Sequence, residues 1–155
     1  MSDLDQVTKE GNLEKVTEIL KTKNILTDSL DVGLYIASKY GHLSIVKLYT
    51  EYGADPNWSD NEYNTTSLIE AVKNGYIYIV EQLIKNKNLN INHECYVSND
   101  YTAVDFAINQ WTYSKKPIYM RIYNMLTNAG GRRNYKYRNI PIPYDYPPLP
   151  ESDDE

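Results

Sequence analysis

The residues able to do chemistry in this chain are few, and their spacing argues against catalysis. It has two histidines, His42 and His93, and a single cysteine, Cys95. His93-Glu94-Cys95 brings an imidazole, a carboxylate and a thiol together, the ingredients of a cysteine nucleophile with its base. Side chains adjacent in sequence seldom converge on one reacting atom, and no orienting or oxyanion-stabilising motif accompanies them. No glycine loop of phosphate-cradling spacing, zinc-ligand pattern or calcium loop occurs. The expectation is therefore a protein that is not an enzyme and uses no metal, cofactor or small-molecule substrate.

Charge narrows the classes further. Residues 1–140 hold 16 basic and 16 acidic side chains, so the net charge of -5 resides in Asp145, Glu151, Asp153, Asp154 and Glu155. A neutral body with an acidic end is poorly suited to a phosphate backbone, so no nucleic-acid partner is expected. No run approaches the roughly 18 apolar residues of a membrane span, and residues 1–15 are too polar for a secretory signal. A lone cysteine permits no internal disulfide; an intracellular protein, cytoplasmic or nuclear, is expected. The 16 tyrosines and equally many asparagines share A/T-rich codons with Ile and Lys, so genome composition accounts for them as readily as function does.

The elements that would position any site follow from an internal repeat. Leu34, Ala37, Gly41 and Val46 return as Leu68, Ala71, Gly75 and Val80, each displaced by 34 positions. Leu4, Val7, Gly11 and Val16 match at a displacement of 30, and Val104 and Ala107 at 36. A large and a small apolar residue three apart share one helix face. Glycine then breaks the helix, and a second apolar-faced helix follows (Val80, Leu83, Ile84). Gly53, Asp55, Pro56 and Asn57 supply turn chemistry after the pair. One such pair cannot bury its own apolar face, so neighbours must stack.

GHLSIVKLYTEYGADPN (41–57) and Thr66-Ser67-Leu68 resemble the second helix and the helix opening of the ankyrin repeat. The resemblance covers about residues 2–131 and implies an all-α solenoid of about four helix-turn-helix units, near 2–31, 32–65, 66–101 and 102–131. Val32-Gly33-Leu34 departs from the family's Thr-Pro-Leu opening. The last unit carries six extra residues near NQWTYSKKPIYM, a longer loop or a longer helix, with Pro117 opening the final helix. From about residue 132, five of the chain's seven prolines and no helical period predict an extended, partly disordered tail through 155.

The resemblance implies recognition of a protein by the concave face: the hairpin tips and the exposed ends of the first helices. Those positions are Asp31, Lys39 and Tyr40; then Trp58, Glu62, Tyr63, Thr65, Lys73 and Asn74; then Ser98, Asn99, Tyr101, Asn109, Gln110 and Trp111. Tyr and Trp there would supply contact area at low entropic cost, although Trp58 or Trp111 could equally fold back over the core edge. His42 occupies the family's structural Gly-His position, and Asn57 sits as in ankyrin turns that are hydroxylated. In the tail, Tyr144 and Tyr146 are candidate phosphorylation sites, and Pro147-Pro148-Leu149-Pro150 resembles WW-domain ligands; Ile140, Ile142 and Leu149 could instead pack on the array.

The expected function is a monomeric interaction module that occludes or inhibits a cellular protein. Short bare arrays of such codon usage resemble those by which large DNA viruses interfere with their hosts. The competing expectations are an assembly protein that self-associates and an adaptor that recruits a WW-type partner through its tail.

Overall fold

The computed structural model describes residues 2–22, 26–96, 100–134, 136, 137 and 139. Among the described residues eight helices follow one another: α1 (Asp3–Lys9), α2 (Leu13–Thr22), α3 (Thr27–Tyr40), α4 (Leu43–Glu51), α5 (Ser67–Lys73), α6 (Ile77–Ile84), α7 (Ala103–Ser114) and α8 (Pro117–Asn128). Each odd helix packs on the even helix after it. The odd helices contact one another in the order α1, α3, α5, α7, and the even ones in the order α2, α4, α6, α8. The result is four helix pairs stacked in two layers, an all-α solenoid. Among the described residues the β structure is one isolated bridge, Ser59 to Thr66.

The repeating apolar residues form the seam. Leu34, Ala37, Val46, Leu68, Ala71, Val80, Val104 and Ala107 are each at most 2 % exposed. Alanine at the three-residue spacing lets adjacent odd helices approach closely. The first pair departs from this pattern: Val7 stays half-buried, and the buried neighbour is Thr8, whose hydroxyl shares a 2.7 Å hydrogen bond with that of Tyr49.

The glycine turns do two jobs at once. Gly11 and Gly41 adopt φ of +76° and +84°, a region that costs an L side chain about 1–2 kcal/mol. A Cβ on Gly11 would also lie 2.6 Å from the His42 ring, and one on Gly41 would lie 2.8 Å from the Tyr76 ring. Each turn is thus a seat for a ring from the next pair. His42 completes its seat by donating from Nε2 to the Lys9 carbonyl, 2.9 Å away.

Local chemistry sets the helix ends. Ser2 with Asp5, and Thr102 with Asp105, form reciprocal capping boxes, Thr66 caps α5, and Pro117 opens α8 as expected. The six extra residues of the last unit are absorbed mainly by a longer helix: α7 runs to Ser114 and ends at Lys115 with φ +55°. No turn interrupts Val32-Gly33-Leu34, because α3 begins at Thr27 and passes straight through them. Gly33 is required there for space, since a Cβ would run into the Tyr49 ring.

Residues 132–134, expected to begin the tail, pack onto the body. Asp105 accepts from the Asn134 backbone at 2.8 Å and from Arg133 Nε at 3.3 Å, and Thr102 donates to the Arg132 carbonyl. Asn134 also donates to Glu94 and to the Asp100 carbonyl, and is 2 % exposed.

Candidate functional site

The loop after α4 is built around one carboxylate. Asp60 accepts from the backbone N–H groups of Glu62, Tyr63 and Thr65 and from the Thr65 hydroxyl, with the Tyr35 hydroxyl 3.4 Å away. Burial opposes its charge. The Thr65 hydroxyl and the Tyr63, Thr65 and Glu62 amides outweigh that and hold the carboxyl below the ordinary aspartate range. Asn64, at φ +54°, lets the loop turn back, and its side chain donates to the Glu94 carbonyl. His93 answers with Nε2, 3.0 Å from the Asn64 carbonyl, while Cys95 is fully buried. The His93-Glu94-Cys95 run therefore joins two loops and presents no accessible nucleophile.

Aromatic rings and lysines line the odd-helix side. Trp58 stands edge-on to Tyr35 at 5.4 Å, and the Lys39 ammonium lies 5.7 Å from the same Tyr35 ring. Lys9 reaches across to Tyr40, 5.2 Å from its ring. Lys73 lies 5.9 Å from Phe106, which meets Tyr101 edge-on at 5.4 Å, and Tyr101 meets Tyr137 at 4.9 Å. These contacts make a strip from the first pair to the last.

The expected binding residues divide according to burial. Lys39, Tyr40, Glu62, Tyr63 and Asn74 are exposed, and Trp58, Lys73, Tyr101, Asn109 and Gln110 are partly so. Asp31, Thr65 and Trp111 correct the expectation of exposure. Asp31 is 7 % exposed and accepts from the Asp55 backbone at 2.6 Å; burial, the largest influence, raises its pKa. Thr65 is 1 % exposed and braces Asp60. Trp111 is 4 % exposed because lengthening α7 turns it onto the buried face beside Ala107 and Ile108, so of its two readings the one over the core holds. Trp58 lies between its two readings, half-buried on Tyr35.

Ser98, Asn99 and the tail positions Ile140, Ile142, Tyr144, Tyr146, Pro147, Pro148, Leu149 and Pro150 lie outside the described residues. Asn57 uses its side chain in both directions, donating to the Asn88 carbonyl at 2.8 Å and accepting from the Asn90 N–H at 2.6 Å.

Sequence reasoning overlooked Lys9, Tyr35, Asp60, Phe106 and Tyr137. A signal existed for the first: Lys9, Lys39 and Lys73 recur at displacements of 30 and 34, in register with the glycines two positions later. On the even-helix side, a shallow apolar groove of ≈ 230 Å³ is lined by Leu43, Tyr76, Ile77, Tyr78 and Ile79. Among the described residues, no group of His, Cys, Asp and Glu could hold a metal ion, and no helix is long and apolar enough to cross a membrane.

Comparison with known proteins agrees with this architecture. Residues 4–112 match the family model of ankyrin repeats in three copies, which ends within α7. The chain is 32% identical over 110 residues to the ankyrin repeat and KH domain-containing protein mask-1 of Caenorhabditis elegans, covering 70% of this chain and 4% of that protein. It is 34% identical over 83 residues to palmitoyltransferase AKR1 of Kluyveromyces lactis, covering 50% and 11%. With alpha-latrotoxin-Lh1a of Latrodectus hasselti the identity is 38% over 77 residues, covering 50% and 5%. This chain thus spans a small part of each of these relatives. Stacked helix pairs, ring-seated glycine turns and the matched family model together make the chain a member of the ankyrin repeat family, whose repeats are protein-protein interaction modules.

Proposed function

We infer that the chain binds a protein partner along the odd-helix strip and the 58–65 loop, and that it acts by covering the partner's own working surface. The observation that carries this is the contrast between the two ends of each ring-bearing contact. Tyr40 and Tyr63 are 41% and 45% exposed, yet they sit on a frame fixed by Asp60 and by buried helix contacts. Rigid aromatics on a prebuilt frame lose little entropy on binding and are the residues that dominate protein interfaces. Lys9 and Lys39 add positive charge beside them, which favours an acidic patch on the partner.

An array that covers its partner's working surface blocks that surface to others, so occlusion and inhibition are the economical consequences. A host protein confronted by a viral array is one setting that fits. The test compares capture of a cellular partner by the unaltered chain and by Tyr40→Ala/Tyr63→Ala. Thermal unfolding is followed in parallel to establish that both are folded. The reading requires the folded variant to lose the partner. Equal capture by both would place binding elsewhere.

A further inference from the structure

We propose that the acidic segment 140–155 of this same chain lies across the Lys9–Lys39 end of the odd-helix strip, so that tail and partner compete for one surface. Position is the first argument. Tyr137 packs on Tyr101, Tyr101 on Phe106, and Lys73 lies over Phe106, so the chain leaves the body at the far end of the same strip. Lys136 pairs with Asp100 at 2.6 Å and helps to fix that point of departure.

Reach is the second argument. Helices pack about 8–10 Å apart, so three steps from the fourth pair to the first span about 24–30 Å. Segment 140–155 contains sixteen residues, four prolines beyond Pro141 among them. At about 3.1 Å per residue in an extended, proline-favoured conformation, such a segment covers about 50 Å. Its acidic cluster, Glu151, Asp153, Asp154 and Glu155, can therefore arrive at Lys39 and Lys9 with slack to spare.

Charge is the third argument. From residue 139 onward the chain contains no lysine or arginine and five carboxylates, while residues 1–138 sum to zero. Within the strip, Lys73 already pairs with Glu70 at 2.7 Å. Lys9 and Lys39 have no carboxylate within ion-pair distance among the described residues and face tyrosine rings instead. Lys9 and Lys39 thus keep positive charge at the end opposite the tail's root, within the reach of its acidic cluster, and Lys115, over the Trp111 ring, keeps it at the near end. A weak intrachain contact gains from tethering, since the effective concentration of a linked ligand is in the millimolar range. The consequence for regulation rests on the protein-binding reading, but the docking itself needs no partner and is tested without one.

The test uses the full chain with Ser152→Cys carrying a nitroxide; native Cys95 is fully buried and escapes labelling. Amide signals are compared between the oxidised and reduced label at low salt. The proposal expects intensity loss at Lys9, Lys39 and Tyr40. It also expects recovery near 1 M salt, where the screening length falls to about 3 Å, and recovery in Lys9→Gln/Lys39→Gln. Absence of loss at these amides, loss confined to the α4–α6 groove, or loss that survives both salt and the double substitution would each overturn it. A mixture of isotope-labelled chain without nitroxide and unlabelled chain with it completes the test. Intensity loss there would assign the contact to a second copy and overturn the intrachain assignment. If the tail contact fails while Tyr40→Ala/Tyr63→Ala still abolishes capture, the binding reading stands alone.

Discussion

Two sets of residues occupy the same repeat register two positions apart, and they do opposite things. Gly11, Gly41 and Gly75 recur as the turns on which His42, Tyr76 and Tyr119 are seated. Lys9, Lys39 and Lys73 recur just before them, at the last turns of α1, α3 and α5; Lys9 and Lys39 lie over Tyr40 and Tyr35 on the open side, and Lys73 over Phe106 at the edge of the core. Both sets are equally periodic. Periodicity therefore identifies the architecture without separating what holds the stack from what it offers a partner. Burial makes that separation, and substitutions on the two sides should differ in kind.

The largest effect is expected in the seam. Leu68, 2 % exposed, should cost roughly 2–5 kcal/mol on substitution by Ala, measured by urea unfolding. Because each pair supports only its neighbours, a loss of that size in the middle should also make the transition less cooperative. Next comes Gly41→Ala, with about 1–2 kcal/mol from its φ of +84° alone, and more because the Tyr76 ring must move. A variant as stable as the original would show that the ring seat is not a constraint.

The loop on the open side gives a smaller effect with a pH signature. Asp60 has a lowered folded pKa, so its contribution is present above the ordinary aspartate range and is lost as pH falls through the folded value. Asp60→Asn should cost about 1 kcal/mol at neutral pH and should flatten that acid loss. Asp31 behaves oppositely. Its raised folded pKa means that stability from protonation is present below the unfolded value and disappears as pH rises through the folded one. Acid titration of Asp31→Asn should therefore show a steeper acid loss than the parent, and an identical profile would refute the sign. Smallest of all, Lys9→Gln and Lys39→Gln should change stability by no more than about 0.5 kcal/mol, since both side chains lie outside the seam.

The legible part of this molecule was its repeat. Leu34 with Ala37 and Leu68 with Ala71 state a helix face directly, and Thr66 and Pro117 mark helix starts by chemistry local to the chain. Misread residues share a cause: their environment comes from elsewhere in the fold. Gly33 shows in the sequence only as a departure from the family's Thr-Pro-Leu opening, and its reason is the Tyr49 ring lying against α3. Asp31 was assigned to a tip, yet with α3 starting at Thr27 it falls inside a helix and tethers the Asp55 backbone. Trp111 depended on whether six extra residues form loop or helix, an alternative that sequence left open. Residues 132–134 lack helical periodicity, but so does any docked, non-helical strap; Asp105 is what draws them in.

At the candidate surface, Lys39, Tyr40, Glu62 and Tyr63 were recognisable from their place in the repeat. Asp60 was not, because its role is to accept from three backbone amides that only the folded loop brings together. Tyr35 and Phe106 were missed for a related reason. Each lies inside a helix pattern and becomes part of the strip only through a ring or an ammonium contributed by another residue.

The most direct test of the account is amide hydrogen exchange of the chain with and without its captured partner. Binding along the odd-helix side predicts added protection at residues 38–41 and 60–64, with the 43–48 and 77–82 segments unchanged. Protection confined to the α4 and α6 segments, with 38–41 and 60–64 exchanging as before, would contradict it.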